Sequence, residues 1–371
     1  MQRGHEVCLE TWSKWKEHVE REGMRFAAAP EYAVFPSGDT KGLKPYQAAV
    51  RASGVTRALI EDFDPEAVVA DILTVAASLA AQLAERPWAT LVPHVLPVFE
   101  PGWPPYSIGA RRPRTPLGQA MWRSLEPLTR GGLEQGRVDL NGARERVGLP
   151  PLDYVHGGIS RELAIVATFP QLEYPREREE PWVRVTGPLL WEQPFEDVEP
   201  PPGDDPLVLV APSTAQDREQ EMLRAALDGL ADEPVRVLAT TNRRPPSVPL
   251  EVPPNARLVD WLSYARTMPR CDAVLTHAGH GTVMRALASG VPMVACPAAG
   301  DMGENAARVA WAGVGVSLPR RLITPRGIRY AVRRVVADPS YARRARHLRA
   351  WAELHDGSER AADAVEELAS R

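Results

Sequence analysis

A glycine-rich segment with two histidines has the residue types and spacing that bind a diphosphate. It reads Thr-His-Ala-Gly-His-Gly-Thr from Thr276 to Thr282 and follows an apolar run that predicts a buried strand ending at His277. A helix is predicted from about Thr282. Gly279 and Gly281 permit close approach of backbone N–H groups, and the start of a helix carries partial positive charge. An imidazole donor beside such a helix is well placed to stabilise negative charge on a bound anion.

A second polar segment follows the next predicted strand, Met293–Cys296. It contains Asp301 and Asn305 in a predicted polar turn. Parallel strands deliver their carboxyl ends to one edge of a sheet, so both polar segments are expected at that edge. A lone histidine is more often structural, but the glycines and Thr282 around His277 favour a binding site.

Composition limits the class of protein. The chain has 371 residues, 44% hydrophobic and 25% charged, with a net charge of −4. These values fit two soluble domains and give no reason to expect nucleic acid. Three widely spaced cysteines suggest a reducing, cytoplasmic location, and no signal peptide or membrane-spanning segment is evident.

The elements that must position these residues alternate along the chain. Apolar strands between helices predict an α/β protein of two Rossmann-like, doubly wound domains that face a cleft. A helix is expected over Pro116–Val147, broken near its glycines. A helical tail is expected from Thr324 to the end. We interpret its arginines as a solvated face rather than a membrane or nucleic-acid patch. The predicted divisions are an N-terminal Rossmann-like domain at 1–191, an acidic, proline-rich linker at 192–206, a C-terminal Rossmann-like domain at 207–350, and a C-terminal helix at 351–371 that packs back toward the N-terminal domain.

The segment from Asp260 to Leu318 resembles nucleotide-sugar glycosyltransferases of the GT-B fold, in particular the bacterial branch that glycosylates macrolides, polyketides and enediynes. That branch is itself similar to UDP-glycosyltransferases. Looser matches lie at Ala67–Ile72 and Pro87–His94. The resemblance implies transfer of a sugar from a nucleoside diphosphate, with no metal and no further cofactor. It also implies that the domain at 1–191 binds the acceptor and that the domain at 207–350 binds the nucleotide-sugar.

The resemblance also implies roles for the residues that bind the nucleotide. Trp261 would stack on the nucleobase; the alternative is a core tryptophan at a strand end. His277 would donate to the diphosphate, with Gly279, Gly281 and Thr282 beside it, and Thr282 could equally cap the helix.

Two further positions keep alternatives open. Ser213 and Thr214 match a phosphate-contacting position but could cap a helix starting at Asp217. His280 is expected either to contact the acceptor or to face solvent.

Asp301 and Asn305 would bind the donor sugar. Relatives carry glutamine where this chain has Met302, so one hydroxyl contact should be absent, which favours a deoxygenated sugar. Many relatives place a glutamate on the ribose where this chain has Arg285, which cannot accept hydrogen bonds. That change favours dTDP over UDP, unless Arg285 is simply solvated.

Inverting relatives use a histidine in the first strand-helix loop as general base, oriented by an aspartate. Asp71 matches that aspartate. The first strand and the histidine loop are expected to be missing from this chain, which should leave strand edges and apolar side chains exposed. His94 is interpreted as an acceptor-pocket residue, with a plain loop histidine as the alternative. Phe99, Trp103, Tyr106 and Trp122 could line that pocket.

The sequence therefore predicts an inverting glycosyltransferase that moves a sugar from an NDP-sugar, dTDP-linked, to a hydroxyl of an apolar natural product. The expected partners are these two small molecules, with a homodimer as a possible assembly. A non-catalytic, glycosyltransferase-like partner protein is the main alternative, and an epimerase of the same fold is a weaker one.

Overall fold

The computed structural model describes residues 3–30, 44, 46–106, 108–193, 195, 197–213, 217, 219–244, 246 and 248–371. Over these residues the chain is an α/β protein in which every strand pair is parallel, as predicted. The strands are β1 (Cys8–Thr11), β2 (Arg25–Ala28), β3 (Val68–Asp71), β4 (Trp88–Val92), β5 (Leu163–Val166), β6 (Val183–Val185), β7 (Leu207–Ala211), β8 (Arg236–Thr240), β9 (Ala256–Val259), β10 (Ala273–Thr276), β11 (Met293–Ala295) and β12 (Gly315–Ser317). The helices are α1 (Lys16–Arg21), α2 (Gln47–Phe63), α3 (Val75–Leu83), α4 (Pro116–Val147), α5 (Glu221–Leu230), α6 (Tyr264–Thr267), α7 (His280–Ala288), α8 (Met302–Ala312), α9 (Pro325–Ala337), α10 (Pro339–Leu354) and α11 (Gly357–Ala369).

The N-terminal half contains two groups of strands. β1 pairs with β2, and β3, β4, β5 and β6 form a four-stranded sheet in that order. Helix α2 joins the groups, because Thr56 donates to Glu10 of β1 while Ile60 packs against Ala70 of β3. Within the described chain β1 pairs only with β2 and β3 only with β4. The predicted free edges are therefore present there, and Leu9 and Val69 are 39% and 45% exposed.

The C-terminal half is one six-stranded sheet in the order β12-β11-β10-β7-β8-β9. Side chains alternate along each strand, so Leu209 faces one apolar core and Val208 and Val210 face the other. Helices α7, α8 and α10 cover the first face, and α5 and α9 cover the second. Burial on both faces is why these strands are continuous apolar runs in the sequence.

The last helix crosses to the other half of the molecule. Ala364 and Leu368 of α11 pack against Ala89 of β4 and against Leu163 and Ile165 of β5. The chain thus ends on the N-terminal sheet.

The predicted break in α4 is wrong. The helix runs unbroken from Pro116 to Val147, with the Thr115 side chain accepting the Gly118 N–H at 3.2 Å. Gly131, Gly132 and Gly136 lie on an open face, where an added Cβ would meet no neighbouring atom within 4 Å in the described chain. An exposed glycine costs a helix only about 1 kcal/mol relative to alanine, which a long, capped helix tolerates.

The tail after Thr324 is helical, as predicted, but it is divided into separate helices. Three helices follow Thr324, interrupted at Asp338 and near Asp356. Pro339 has no backbone N–H and disfavours a helical residue before it, so α9 ends there and α10 begins. Asp338 then accepts the Ser340 N–H at 2.9 Å and caps α10.

Candidate active site

His277 lies at the C-terminal end of β10, between the ends of β7 and β11. It is buried, with 3% of its side chain exposed. Its Nδ1 accepts the backbone N–H of Ser213, at 3.0 Å, just beyond β7. An accepting Nδ1 carries no proton, so the ring proton is on Nε2. The parallel register of β7 and β10 brings these two residues together.

The Nε2 of His277 faces Asp217 rather than open space. Its distance to Asp217 Oδ2 is 3.2 Å. The same carboxylate accepts the N–H groups of Glu221 at 2.8 Å and Met222 at 3.1 Å, the first residues of α5. Burial alone would raise the pKa of Asp217, but these hydrogen bonds outweigh it and hold the pKa below its ordinary value.

Asp217 was missed by the sequence analysis as a functional residue. An aspartate ahead of a predicted helix is a capping signal. Its contact with His277 joins positions 60 residues apart, and no local pattern indicates it. Ser213 follows β7, and the helix predicted to start at Asp217 begins instead at Glu221, with Gln220 as its N-cap. The predicted phosphate contact of Ser213 stays a prediction, and Thr214 falls outside the described residues.

The glycine loop turns directly into α7. Ala278 has a left-handed φ of 61°, Gly279 is the N-cap, and the helix begins at His280. The predicted start near Thr282 is two residues late, so Thr282 lies in the first turn and does not cap the helix. An added Cβ on Gly279 or Gly281 would meet no described atom within 4 Å, so the space beside both is open.

Asp301 and Asn305 meet this loop from the next strand. The predicted polar turn is instead the N-cap and first turn of α8, which starts at Met302. The amide nitrogen of Asn305 donates to the Ala278 carbonyl and to Asp301 Oδ2, both at 3.0 Å. Asn305 therefore fixes the left-handed turn after His277 and orients the Asp301 carboxylate.

His280 reaches across to the N-terminal half. Its Nε2 donates to the carbonyl of Ala167, just after β5, at 3.0 Å. Its Nδ1 is buried and has no hydrogen-bond partner among the described residues. Burial lowers the pKa of this imidazole. Of the two alternatives for His280, solvent exposure is wrong, because the ring lies between the halves.

His94 lies on the N-terminal side of the same region. Its ring is 5.2 Å from the ring of Tyr106, and its Nδ1 is 2.8 Å from the Val95 carbonyl. Burial, followed by the charges of Asp301 and Glu304, raises the pKa of Tyr106. The loops after β4 thus meet the start of α8.

A cavity of about 180 Å³ opens beside this contact. Phe99, Trp103 and Tyr106 line it from the N-terminal half, and Glu304 and Arg308 of α8 line it from the other. Trp122 is not among its lining residues.

A buried ion cluster joins the halves at the cavity wall. Arg308 contacts Glu304 at 2.7 Å and Glu173 at 3.8 Å, and it donates to the Leu172 carbonyl at 3.0 Å. No sequence signal indicated Arg308, because its partners in the N-terminal half are more than 130 positions away.

Asp71 ends β3 at the cleft edge of the N-terminal sheet. Its Oδ1 accepts the Leu73 N–H at 2.8 Å. The register pairs Asp71 with Leu91 of β4, three residues before His94. Both side chains therefore leave neighbouring strands at the same edge.

Trp261 follows β9 and is half-buried. The Arg243 guanidinium is 4.5 Å from its ring centroid, and the Phe195 ring meets it edge-on at 6.5 Å. Neither apolar core of this half includes Trp261 among the described residues, which disagrees with the core alternative.

Arg285 is not solvated. It lies on α7 with 18% of its side chain exposed, and its Nε is 3.8 Å from Glu192 Oε2. Glu192 also accepts the Ala265 N–H at 2.8 Å, so the segment before β7 contacts both α6 and α7. Burial lowers the pKa of Arg285.

No three metal-binding side chains of the His, Cys, Asp or Glu types cluster within the described ranges. Of the helices in those ranges, none combines the length and apolarity needed to cross a bilayer.

Solved structures identify the architecture. The glycosyltransferase of kitacinnamycin superimposes with a TM-score of 0.78 at 24% identity, covering 99% of this chain and 92% of that one. CalG4, the calicheamicin glycosyltransferase, superimposes with a TM-score of 0.73 at 24% identity, covering 100% of this chain and 92% of that one. Facing parallel sheets with a glycine loop at the strand ends thus define a protein of the GT-B class.

Sequence comparisons identify the family. Residues 224–366 match the model for the erythromycin biosynthesis protein CIII-like C-terminal domain. The 4'-demethylrebeccamycin synthase of Lentzea aerocolonigenes is 31% identical, covering 99% of this chain and 93% of the relative. A PGL/p-HBAD biosynthesis glycosyltransferase of Mycobacterium tuberculosis is 28% identical over 84% of this chain and 71% of its own length. The chain belongs to the natural-product glycosyltransferases, and the alternative of a non-catalytic partner is not favoured.

Proposed function

We propose that this glycosyltransferase transfers a sugar from a dTDP-linked donor, with inversion, to a hydroxyl group of an apolar natural product. The observation that carries the proposal is the convergence of His277, the open glycine backbone of α7 and the Asp301–Asn305 pair at one edge of the sheet. Imidazole N–H, backbone N–H groups and a helix N-terminus are the donors that a diphosphate requires.

The strand order supports a nucleotide lying across that edge. Trp261 follows β9, Ser213 follows β7, His277 follows β10 and Asp301 follows β11. Three strand spacings of roughly 4.8 Å separate β9 from β10, and one separates β10 from β11. The resulting separation of about 14 Å between β9 and β10 is long enough for a base and a pentose to lie between Trp261 and the diphosphate at His277. In this scheme Trp261 stacks on the base, His277, Gly279, Gly281 and Thr282 hold phosphate, and Asp301 and Asn305 face the sugar.

Two departures from the family pattern support the donor's identity. Arg285 can only donate, so it offers no acceptor for the paired hydroxyls of ribose. Met302 offers no hydrogen bond to a sugar hydroxyl, which favours a deoxygenated sugar. The VinC glycosyltransferase, which was solved in complex with dTDP, shares this fold with a TM-score of 0.70 at 17% identity, covering 100% of this chain and 94% of that one.

The cavity at Phe99, Trp103 and Tyr106 supports an apolar acceptor. His94 contacts Tyr106 of the cavity wall and is proposed as an acceptor contact. Asp71 is proposed to orient the general base of the inverting step. Inversion follows from a single displacement: the general base takes the proton of the acceptor hydroxyl, the acceptor oxygen bonds to the anomeric carbon, and the bond from that carbon to the diphosphate breaks, releasing the nucleoside diphosphate.

The proposal is tested first by measuring dTDP binding and then by measuring sugar transfer. His277→Ala should weaken dTDP binding roughly tenfold or more, about 1.4 kcal/mol, by isothermal titration calorimetry. His347→Ala removes an exposed histidine of α10 and should leave the affinity unchanged. Equal affinity of wild type and His277→Ala would overturn the proposed diphosphate site.

Donor choice is tested by comparing dTDP-deoxysugar, dTDP-glucose and UDP-glucose with one hydroxylated apolar acceptor. We expect kcat/KM to be highest for the deoxysugar donor, inverted anomeric configuration in the product by proton NMR, and unchanged activity in EDTA. A clear preference for a glucose donor would remove the deoxysugar proposal, and a preference for UDP would remove dTDP.

A further inference from the structure

The carboxylate of Asp217 occupies a place built for an oxyanion. It accepts a hydrogen bond from His277 Nε2–H, with Nε2 and Oδ2 3.2 Å apart, and from the first two N–H groups of α5, those of Glu221 and Met222. We propose that Asp217 stands in for a donor phosphate in the nucleotide-free protein and is displaced when the donor binds. This inference rests on the proposed function, because it concerns the same diphosphate site.

The hydrogen-bond donors around Asp217 are of the types that bind phosphate in other proteins. Backbone N–H groups at the start of a ten-residue helix and an imidazole N–H both favour negative charge. The imidazole is the independent observation: His277 is 3% exposed, and its one N–H points at this position. Asp217 itself is only 8% exposed, so the carboxylate is enclosed rather than resting on the surface.

His277 cannot serve Asp217 and a phosphate together. The Ser213 N–H occupies Nδ1 and fixes the ring, so Nε2–H is the only proton that the ring can donate. A phosphate oxygen within reach of that proton would also lie against the carboxylate, and the two negative charges would repel each other. Donor binding therefore requires the Asp217 side chain to rotate away from Nε2.

The exchange has a consequence for affinity. Part of the donor's binding free energy is used to displace an internal anion, so removing the charge of Asp217 should strengthen binding. The opposite holds if Asp217 stays on His277 and orients it for the phosphate, because its removal would then weaken binding. The two arrangements predict changes of opposite sign.

The test is the dTDP affinity of Asp217→Asn, measured by calorimetry on the full chain, with inorganic pyrophosphate as a second probe. Asparagine keeps an oxygen that can cap α5 but carries no charge. We expect binding to tighten roughly tenfold, which corresponds to about 1.4 kcal/mol. Asp217→Ser, whose uncharged side chain is too short to reach His277, should tighten it as well and covers the case in which the first variant folds poorly.

Asp356→Asn is the matched control. Asp356 also accepts two N–H groups at a helix start, from Ser358 and Glu359, but its carboxylate forms no ion pair with a histidine among the described residues. Its substitution should leave dTDP affinity unchanged. A second readout is the 15N resonance of His277 Nε2, which should move when wild-type protein binds dTDP and should already be shifted in nucleotide-free Asp217→Asn.

Weaker or unchanged dTDP binding by both Asp217 variants would overturn the inference. If His277→Ala still weakened binding in that case, the proposed diphosphate site would survive. If neither wild type nor Asp217→Asn bound dTDP or pyrophosphate, the proposed function would fail, and this inference with it.

Discussion

The side chains around the glycine loop are held by contacts from three strand ends. Ser213 fixes one nitrogen of His277, Asp217 takes the other, and Asn305 ties the Ala278 carbonyl to Asp301. The residue types follow from the sequence, whereas their hydrogen-bond partners come from neighbouring strands. Each imidazole and amide in this group therefore has a fixed orientation before any nucleotide arrives.

Asn305→Ala should reduce both stability and nucleotide affinity. It removes the donor that holds Ala278 in its left-handed conformation and leaves that carbonyl buried without a partner, a loss of about 1–3 kcal/mol in the free energy of unfolding. Because the loop after His277 then relaxes, we also expect dTDP to bind roughly tenfold more weakly. Denaturant unfolding and calorimetry measure the two effects.

Asn255→Ala is the control for that change. Asn255 likewise donates to two carbonyls, those of Leu230 at 2.8 Å and Val235 at 2.9 Å, but outside the candidate site. The Asn255→Ala variant should lose about as much free energy of unfolding as Asn305→Ala but should bind dTDP as tightly as the wild type. Equal weakening of dTDP binding in both variants would show that Asn305 acts only through general stability.

At the scale of elements, local signals set the type of each element and long-range packing set where it ends. β10 ends at Thr276, one residue before the predicted end at His277, because an apolar run with a polar flank marks it. Helix α4 does not break, because its glycines face solvent and no packing penalises them. Helix α7 starts two residues before its predicted position, because Gly279 serves as its N-cap. The predicted polar turn after β11 is helical from Met302, with Asp301 as the N-cap of α8.

Gly132→Ala should stabilise α4. The residue is exposed and helical, and an added Cβ would meet no described atom within 4 Å. Alanine restricts the unfolded chain more than glycine does, so the free energy of unfolding should rise by about 0.5–1 kcal/mol in a denaturant titration. Gly148→Ala, at the left-handed C-cap with a φ of 85°, should lower it instead. A loss of stability in Gly132→Ala would mean that α4 is interrupted there.

At the scale of the whole molecule, buried charge and a returning helix join the two halves. Arg308 of α8 reaches Glu173 and the Leu172 carbonyl, while α11 packs on β4 and β5. These contacts hold the cavity side of the N-terminal half against the start of α8. The geometry of the proposed acceptor site therefore depends on both halves.

Arg308→Met should destabilise the protein by about 3–5 kcal/mol, because it leaves Glu173 and Glu304 buried without their cation. Burial raises the pKa of Glu173 despite the opposing charge of Arg308. A raised carboxyl pKa favours the neutral form in the folded state, so the defect should be smaller at pH 5 than at pH 8. Thermal unfolding at the two pH values measures this.

Arg270→Met is the comparison for that variant. Arg270 pairs with Asp197 at 3.3 Å and Glu199 at 3.1 Å, but 36% of its side chain is exposed. Loss of Arg270 should lower the free energy of unfolding by no more than about 1 kcal/mol at either pH. Equal losses in the two variants would contradict a special role for the buried cluster.

The sequence by itself determined the α/β class, the parallel strands, the glycine loop and the residues at the strand ends, because these depend on local periodicity and on residue type. The tertiary structure alone decided that Asp217 faces His277, that Glu192 pairs with Arg285 and that Arg308 bridges the halves. Such pairs join residues 60 to 135 positions apart. Their geometry follows from strand order and helix packing, which leave no periodic trace in the sequence.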